Sequence, residues 1–268
     1  MRSALLSLLA IATAAYLCLG ALLYLFQRSF IYFPTPAPPA GNVLAEELWL
    51  SSGKEQLRIW LLHGDRPDAI VYFGGNAENV ALNVPDYGRI FPDRAVYLVN
   101  YRGYGGSTGT PGEDALYSDA EAVFDFVNER HRSVSLVGRS LGASIVTWLA
   151  CAASPARLVL ITPFDSLASL ARRLYPIFPA SLLLREQHDS ISRAGCIDTP
   201  VLVLVAGRDE IVPRENSRKL AEAIRNDLVT LRVIDGTTHN TIESAPEFYR
   251  VLEGFLSDGA RSPGAMTP

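Results

Sequence analysis

The sequence predicts an α/β fold in which a mostly parallel sheet carries helices on both faces. Three observations lead there. From Val43 onward, strand-like and helix-like segments alternate repeatedly. The middle strands are continuous apolar runs such as AIVYFGG and AVYLVNY, the pattern of strands buried on both faces. Residues suited to chemistry fall in the turns after those strands, the edge where parallel sheets gather their functional groups.

The elements follow in order. Ala4 to Phe26 holds 23 positions without a charged side chain. At about 1.5 Å per helical residue that run spans about 34 Å, enough for a bilayer core. Tyr24, Phe26, Phe30, Tyr32 and Phe33 gather at its second end, where an interfacial aromatic belt would sit. A cleaved signal peptide is the competing reading, but its apolar region is usually about 7 to 15 residues long. Residues 1–28 are therefore expected to form a signal anchor, with an aromatic and proline-rich linker over 29–42 whose prolines stiffen it. The amino terminus and Arg2 precede the apolar run and only Arg28 closely follows it. That balance places the following domain outside the cytoplasm, in the periplasm of a bacterial inner membrane.

The domain is expected over 43–258, with a tail over 259–268. VLAEELWLSS and LRIWLLHG read as an opening hairpin at an antiparallel edge. Residues 112–130 form an amphipathic helix, and the later strands SVSLVG, ARLVLIT, PVLVLVAG and VTLRVI alternate with further helices. Residues 163–199 lie between two strands and are rich in leucine, interrupted by Pro176 and Pro179; they are expected to form a cap.

The net charge is −4, and the 24 Lys and Arg are scattered, so the sequence lacks the basic stripe that tracks nucleic-acid phosphates. Cys18, Cys151 and Cys196 show no metal-ligand spacing and no disulfide framework, and Cys151 reads as a buried apolar thiol. No metal or cofactor is expected.

The chemistry centres on LVGRSLGAS. Ser140 falls between a strand and a helix beginning near Leu141, the strand–turn–helix context that presents a nucleophile. Gly138 and Gly142 flank it because a side chain at either place would strike a neighbouring element. A serine hydroxyl needs a base, and the base needs a carboxylate to orient it. His239, on the loop after VTLRVI, is the expected base; His188 reads as a surface or cap residue. Asp209, leaving the end of PVLVLVAG, is the expected acid, with Glu210 on the same turn and Asp235 as weaker alternatives. The backbone N–H groups of Leu141 and of Asn76, in FGGNAEN, are the expected oxyanion donors.

With these residues in place, the chain resembles the membrane-anchored α/β-hydrolase-domain serine hydrolases related to prolyl-oligopeptidase-like enzymes. That group includes protein depalmitoylases and lysophospholipid lipases. The resemblance runs from about Phe30 to Phe255 through FGGNAEN, NYRGYGGSTG, GRSLGAS, TPFDSL, GRDEIVP and THN. It implies the α/β-hydrolase fold, Ser140 as nucleophile, Asp209 as acid, His239 as base, and Asn76 with Leu141 as oxyanion donors. Gly74 stands where the family usually has His, and Asn100 where it commonly has Asp. Arg102 is expected to brace the loops around the site. The expected substrate is a small or lipid-like acyl ester or thioester, ahead of a peptide and of a binding role without catalysis.

Overall fold

The computed structural model describes residues 2–39, 41 and 43–257. The expected tail, 259–268, lies outside them. Helix α1 (Arg2–Leu25) breaks at Phe26 into α2 (Gln27–Ile31). Residues 32–39 then run extended along the domain rather than standing off from it: the Gly105 N–H donates to the Thr35 carbonyl at 2.9 Å.

Eight strands form one sheet: β1 (Glu46–Ser52), β2 (Glu55–Leu62), β3 (Asp68–Phe73), β4 (Ala95–Val99), β5 (Ser133–Arg139), β6 (Arg157–Ile161), β7 (Val201–Ala206) and β8 (Val229–Ile234). Their spatial order is β1-β2-β4-β3-β5-β6-β7-β8. β1 with β2, and β2 with β4, pair antiparallel, and every other pair is parallel. From β3 the chain steps one way to β4 and then crosses to β5 on the other side. The order therefore reverses at β3, and the crevice beyond the ends of β3 and β5 is the switch point where open α/β sheets place ligands.

The helices are α3 (Val84–Ile90), α4 (Glu113–Asn128), α5 (Leu141–Ala152), α6 (Leu167–Leu174), α7 (Ala180–Leu183), α8 (Arg214–Ala223) and α9 (Pro246–Ser257). One core joins α4, α5 and α8 to alternate strand residues such as Val71, Leu136 and Val203. The opposite core joins α3 and α9 to Ile70, Val137 and Leu204. Both faces of the strands are covered, which is why β3, β4 and β7 are buried along their whole length.

Two expectations are corrected. Cys151 is not a buried thiol: it is exposed and forms a disulfide with Cys196, 45 residues later. The bond fastens the end of α5 to the segment before β7, a pairing that no short-range spacing encodes. His188 is not a surface residue; it is fully buried.

The elbow around Ser140 is packed too closely for any added side-chain atom at its two glycines. A Cβ on Gly142 would lie 2.0 Å from the Phe73 carbonyl oxygen, and one on Gly138 2.4 Å from the Gly142 carbonyl oxygen. Neither backbone can yield without parting α5 from β3 and β5. Gly254, inside α9, faces open space. Gly142→Ala should lose about 3 kcal/mol or more of stability through overpacking, whereas Gly254→Ala should be neutral or gain about 0.5–1 kcal/mol through helix propensity. Equilibrium denaturation of the two variants checks both signs.

Candidate active site at the sheet edge

Ser140 sits at the N-cap of α5 with φ 50° and ψ −107°. This is positive-φ backbone that a residue with a side chain rarely adopts, and it persists only where the surroundings enforce it. The enforcement is visible. The Ser140 N–H donates to the Ile161 carbonyl at 2.8 Å, and the two flanking glycines let α5 press on β3. Leu141 is the first residue of α5, so its N–H has no acceptor within the helix and points from the positive end of the helix dipole.

The loops after β7 and β8 meet there. His239 Nδ1 lies 2.8 Å from Asp209 Oδ2, and both side chains are buried. The other Asp209 oxygen accepts the N–H groups of Ile211 and Val212 at 2.9 and 2.7 Å. Those bonds lock the carboxylate and leave one oxygen for the imidazole. Glu210 and Asp235 are exposed on the same two loops, away from this pair. The structure records no hydrogen bond between Ser140 and His239. Such bonds are commonly long before substrate binds.

The loop after β3 is held beside the elbow. A Cβ on Gly74 would lie 2.7 Å from Val80 Cγ1, so this position admits only glycine without rearrangement. The Gly75 N–H donates to Glu78 Oε2 at 2.6 Å. The Asn76 side chain is fixed by the segment after α1 and by the loop after β4: Nδ2 donates to the Ile31 carbonyl, and Oδ1 accepts from the Phe33 N–H and the Tyr104 hydroxyl. Arg102 forms a two-pronged pair with Asp119 at 2.7 and 2.5 Å, and so braces the following loop from outside the site. Asn100 donates to the Arg58 carbonyl and packs under Gly105, whose φ of +57° and lack of Cβ make room for it.

One residue that sequence reasoning passed over ties these loops together. Arg139, immediately before Ser140, donates to Glu78 Oε2 at 2.8 Å and to the His239 carbonyl at 3.0 Å. Burial alone would lower the Arg139 pKa, but Glu78, Tyr72 and Glu243 outweigh it and hold the guanidinium charged. Glu78 also accepts from Tyr72 and Asn83.

The matching family is described as "Serine aminopeptidase, S33", over residues 180–244, a stretch that contains Asp209 and His239. Over 251 residues the chain is 33% identical to the uncharacterized protein Rv2307c of Mycobacterium tuberculosis, which covers 87% of this chain and 88% of the relative. It is 29% identical over 229 residues to the alpha/beta hydrolase domain-containing protein WAV2 of Arabidopsis thaliana, covering 72% and 74%. The chain belongs to the α/β-hydrolase family. Its fold superposes on the Pyrococcus furiosus esterase Pf2001 with a TM-score of 0.70 at 16% identity, covering 86% and 98%, a likeness of fold alone.

This α/β-hydrolase domain also buries a second Ser–His pair, which is built differently. His188 Nδ1 lies 3.0 Å from Ser144 Oγ, and Nε2 lies 2.8 Å from the Tyr32 hydroxyl. Tyr32 donates to Glu186 at 2.6 Å, and Glu186 also takes Arg28 and the Glu113 N–H. Ser144 lies inside α5, buried, with its hydroxyl on the Leu141 carbonyl, so it has no path to a substrate. Burial lowers the His188 pKa. Burial opposes ionisation of Glu186, but Tyr32, Arg28 and the backbone donor outweigh it and keep its pKa below the ordinary value. Glu113, Glu186 and His188 bring potential metal-ligand atoms within 4.8 Å of one another. Those atoms are engaged by protein donors, which gives the cluster a structural role that joins α2, α4, α5 and the segment after α7.

Glu243, 4.0 Å from Arg139, is the unusual acid of the site. Burial first, and the charge of Glu78 second, push its pKa up to about 7. Its folded pKa is above its unfolded value, so the folded state holds the extra proton between about pH 4.5 and 7. This contribution is fully present below the unfolded pKa and is lost as pH rises through about 7. Glu243→Gln should flatten the fall in stability over that window, as read by urea midpoints at stepped pH; an unchanged slope would remove Glu243 as its source.

Proposed function

We propose that this α/β-hydrolase is a membrane-anchored serine hydrolase that cleaves carboxylic ester or thioester bonds through an acyl-enzyme on Ser140. The observation that carries the reading is the strained Ser140 elbow beside the His239–Asp209 pair, joined to it by Arg139. In this mechanism Ser140 Oγ attacks the acyl carbonyl while His239 Nε2 takes its proton. Asp209, bonded to Nδ1, holds the ring in the tautomer that leaves Nε2 free and stabilises the imidazolium. The N–H groups of Leu141 and Asn76 receive the oxyanion. His239 returns the proton to the departing alcohol or thiol, and water then attacks the acyl-serine by the same route.

α1 is long and apolar enough to cross a membrane, and its apolar stretch is not buried in the domain. It fits a single-pass anchor. The Cys151–Cys196 disulfide supports placing the domain in an oxidising compartment, such as a bacterial periplasm. Protease added to spheroplasts should then cut the domain, and protection of the domain would reverse the orientation. Peptide hydrolysis by the same machinery is the second reading, because the matched family is described as a serine aminopeptidase.

Ser140→Ala should abolish covalent labelling by a fluorophosphonate and lower ester turnover by about 10³-fold or more. Wild-type labelling of that variant would sink the assignment. Across p-nitrophenyl esters, kcat/KM should rise from acetyl to at least octanoyl, since each buried methylene adds up to about 0.8 kcal/mol. A maximum at acetyl, or faster turnover of aminoacyl amides, would favour the small-pocket or peptidase reading.

A further inference from the structure

The cap and the anchor are fastened along one helix face. The Tyr16 hydroxyl donates to the Ile177 carbonyl at 2.9 Å, and the Tyr16 ring stacks on Phe178 with centroids 4.9 Å apart. A Cβ on Gly20 would lie 3.4 Å from the Phe178 ring, so the helix comes close there. The Arg185 guanidinium lies 4.1 Å from the centre of the Tyr24 ring. The Gln27 side chain donates to the Leu183 carbonyl at 3.3 Å and accepts the Arg185 N–H at 2.7 Å. Positions 16, 20 and 24 recur at the four-residue spacing of a single face of α1, and Gln27 continues the contact from the start of α2.

Length decides where the membrane must be. Ala4 to Phe26 spans about 34 Å as helix, close to the hydrocarbon thickness of about 30 Å. If the bilayer ended before the cap contact at Tyr16, only residues 4–15 would remain inside. Those 12 residues span about 18 Å, far too short to cross. The contact with Ile177 therefore lies about 14 Å deeper along the helix than Leu25. On the anchor reading above, on which this rests, we infer that the tip of the cap, residues 174–184, is immersed in one leaflet of the bilayer beside the second half of α1.

The chemistry of the tip fits that surrounding. Leu174, Ile177 and Leu182 are 71, 69 and 81% exposed, which in water would leave a cluster of large apolar side chains unburied. Irregular backbone in hydrocarbon must find its partners within protein. Here the anchor supplies them: Tyr16 takes the Ile177 carbonyl, and Gln27 takes the Leu183 carbonyl and the Arg185 N–H. Within the tip, Phe178 N–H bonds to Tyr175 and Ala180 N–H to Phe178. Arg172 and Arg173 precede the tip and Arg185 follows it; their long stems can carry the charges out to the headgroups. The partner of this surface is the acyl region of a lipid bilayer, and lipid in that leaflet meets the cap directly.

The test uses the full chain in lipid nanodiscs with an environment-sensitive fluorophore on single cysteines. Cys18 is the free cysteine among the described residues and reports on the anchor. In a Cys18→Ala background, Leu182→Cys and Ile177→Cys report on the cap, and Lys54→Cys, in the exposed hairpin turn, reports on the far domain. The cap labels should lose emission to acyl-chain spin-labelled lipid to a similar extent as Cys18, with a blue-shifted spectrum, while the Lys54 label is unaffected. Quenching at Cys18 with none at either cap position would overturn the proposal and leave the anchor standing. No quenching at Cys18 would overturn the anchor reading, and the immersion with it.

Discussion

The ion pair between Arg139 and Glu78 is the constraint around which the site is assembled. Both side chains are nearly excluded from water, 11 and 10% exposed, at 2.8 Å. A buried charge is stable only when paired and hydrogen-bonded, and removing one partner of such a pair costs about 3–5 kcal/mol. Glu78 is thereby forced to face the elbow, and in facing it takes the Gly75 N–H of the loop after β3. Arg139 is forced to face inward beneath Ser140 and donates from its other terminal nitrogen to the His239 carbonyl. Three loops from β3, β5 and β8 are thus drawn to one point by one guanidinium. Its neighbour Tyr72 is fully buried, so little water reaches that side of the guanidinium.

Much of this was legible in the sequence, for local reasons. β5, the turn at Ser140 and α5 lie in one continuous stretch, and the need for Gly138 and Gly142 follows from close approach of neighbouring backbone. Asp209 and His239 could be placed because the order of strands fixes which loops share an edge, and the structure brings those two side chains together. The antiparallel opening hairpin was equally local. What escaped was long-range and polar. Arg139 sits inside the very motif that pointed to Ser140, yet its partners are 61 and 104 positions away and follow no periodicity. The disulfide joins residues 45 apart with no spacing signature. His188 looked superficial because no strand precedes it; its burial depends on Tyr32, which is 156 residues earlier.

That last pairing changes the meaning of the segment after α1. Residues 27–35 are bound into the domain by Arg28 and Tyr32 on Glu186, by Ile31 and Phe33 on Asn76, and by Thr35 on Gly105. The same few residues that leave α1 hold the loop that carries one candidate oxyanion donor. These contacts fix the orientation of the domain to α1, and the bonds of Tyr16 to Ile177 and of Gln27 to Arg185 reinforce it. Changes at the exit from α1 should therefore be felt at the sheet edge.

The most direct measurement is to map the acyl group itself. The full chain would be mixed with an octanoyl thioester, quenched in acid during turnover, digested and analysed by mass spectrometry. The account predicts octanoyl on the peptide that contains Ser140, with fragmentation placing it on the serine oxygen and none on the peptide that contains Ser144. An unmodified Ser140 peptide during active turnover, or acyl on another residue, would contradict it.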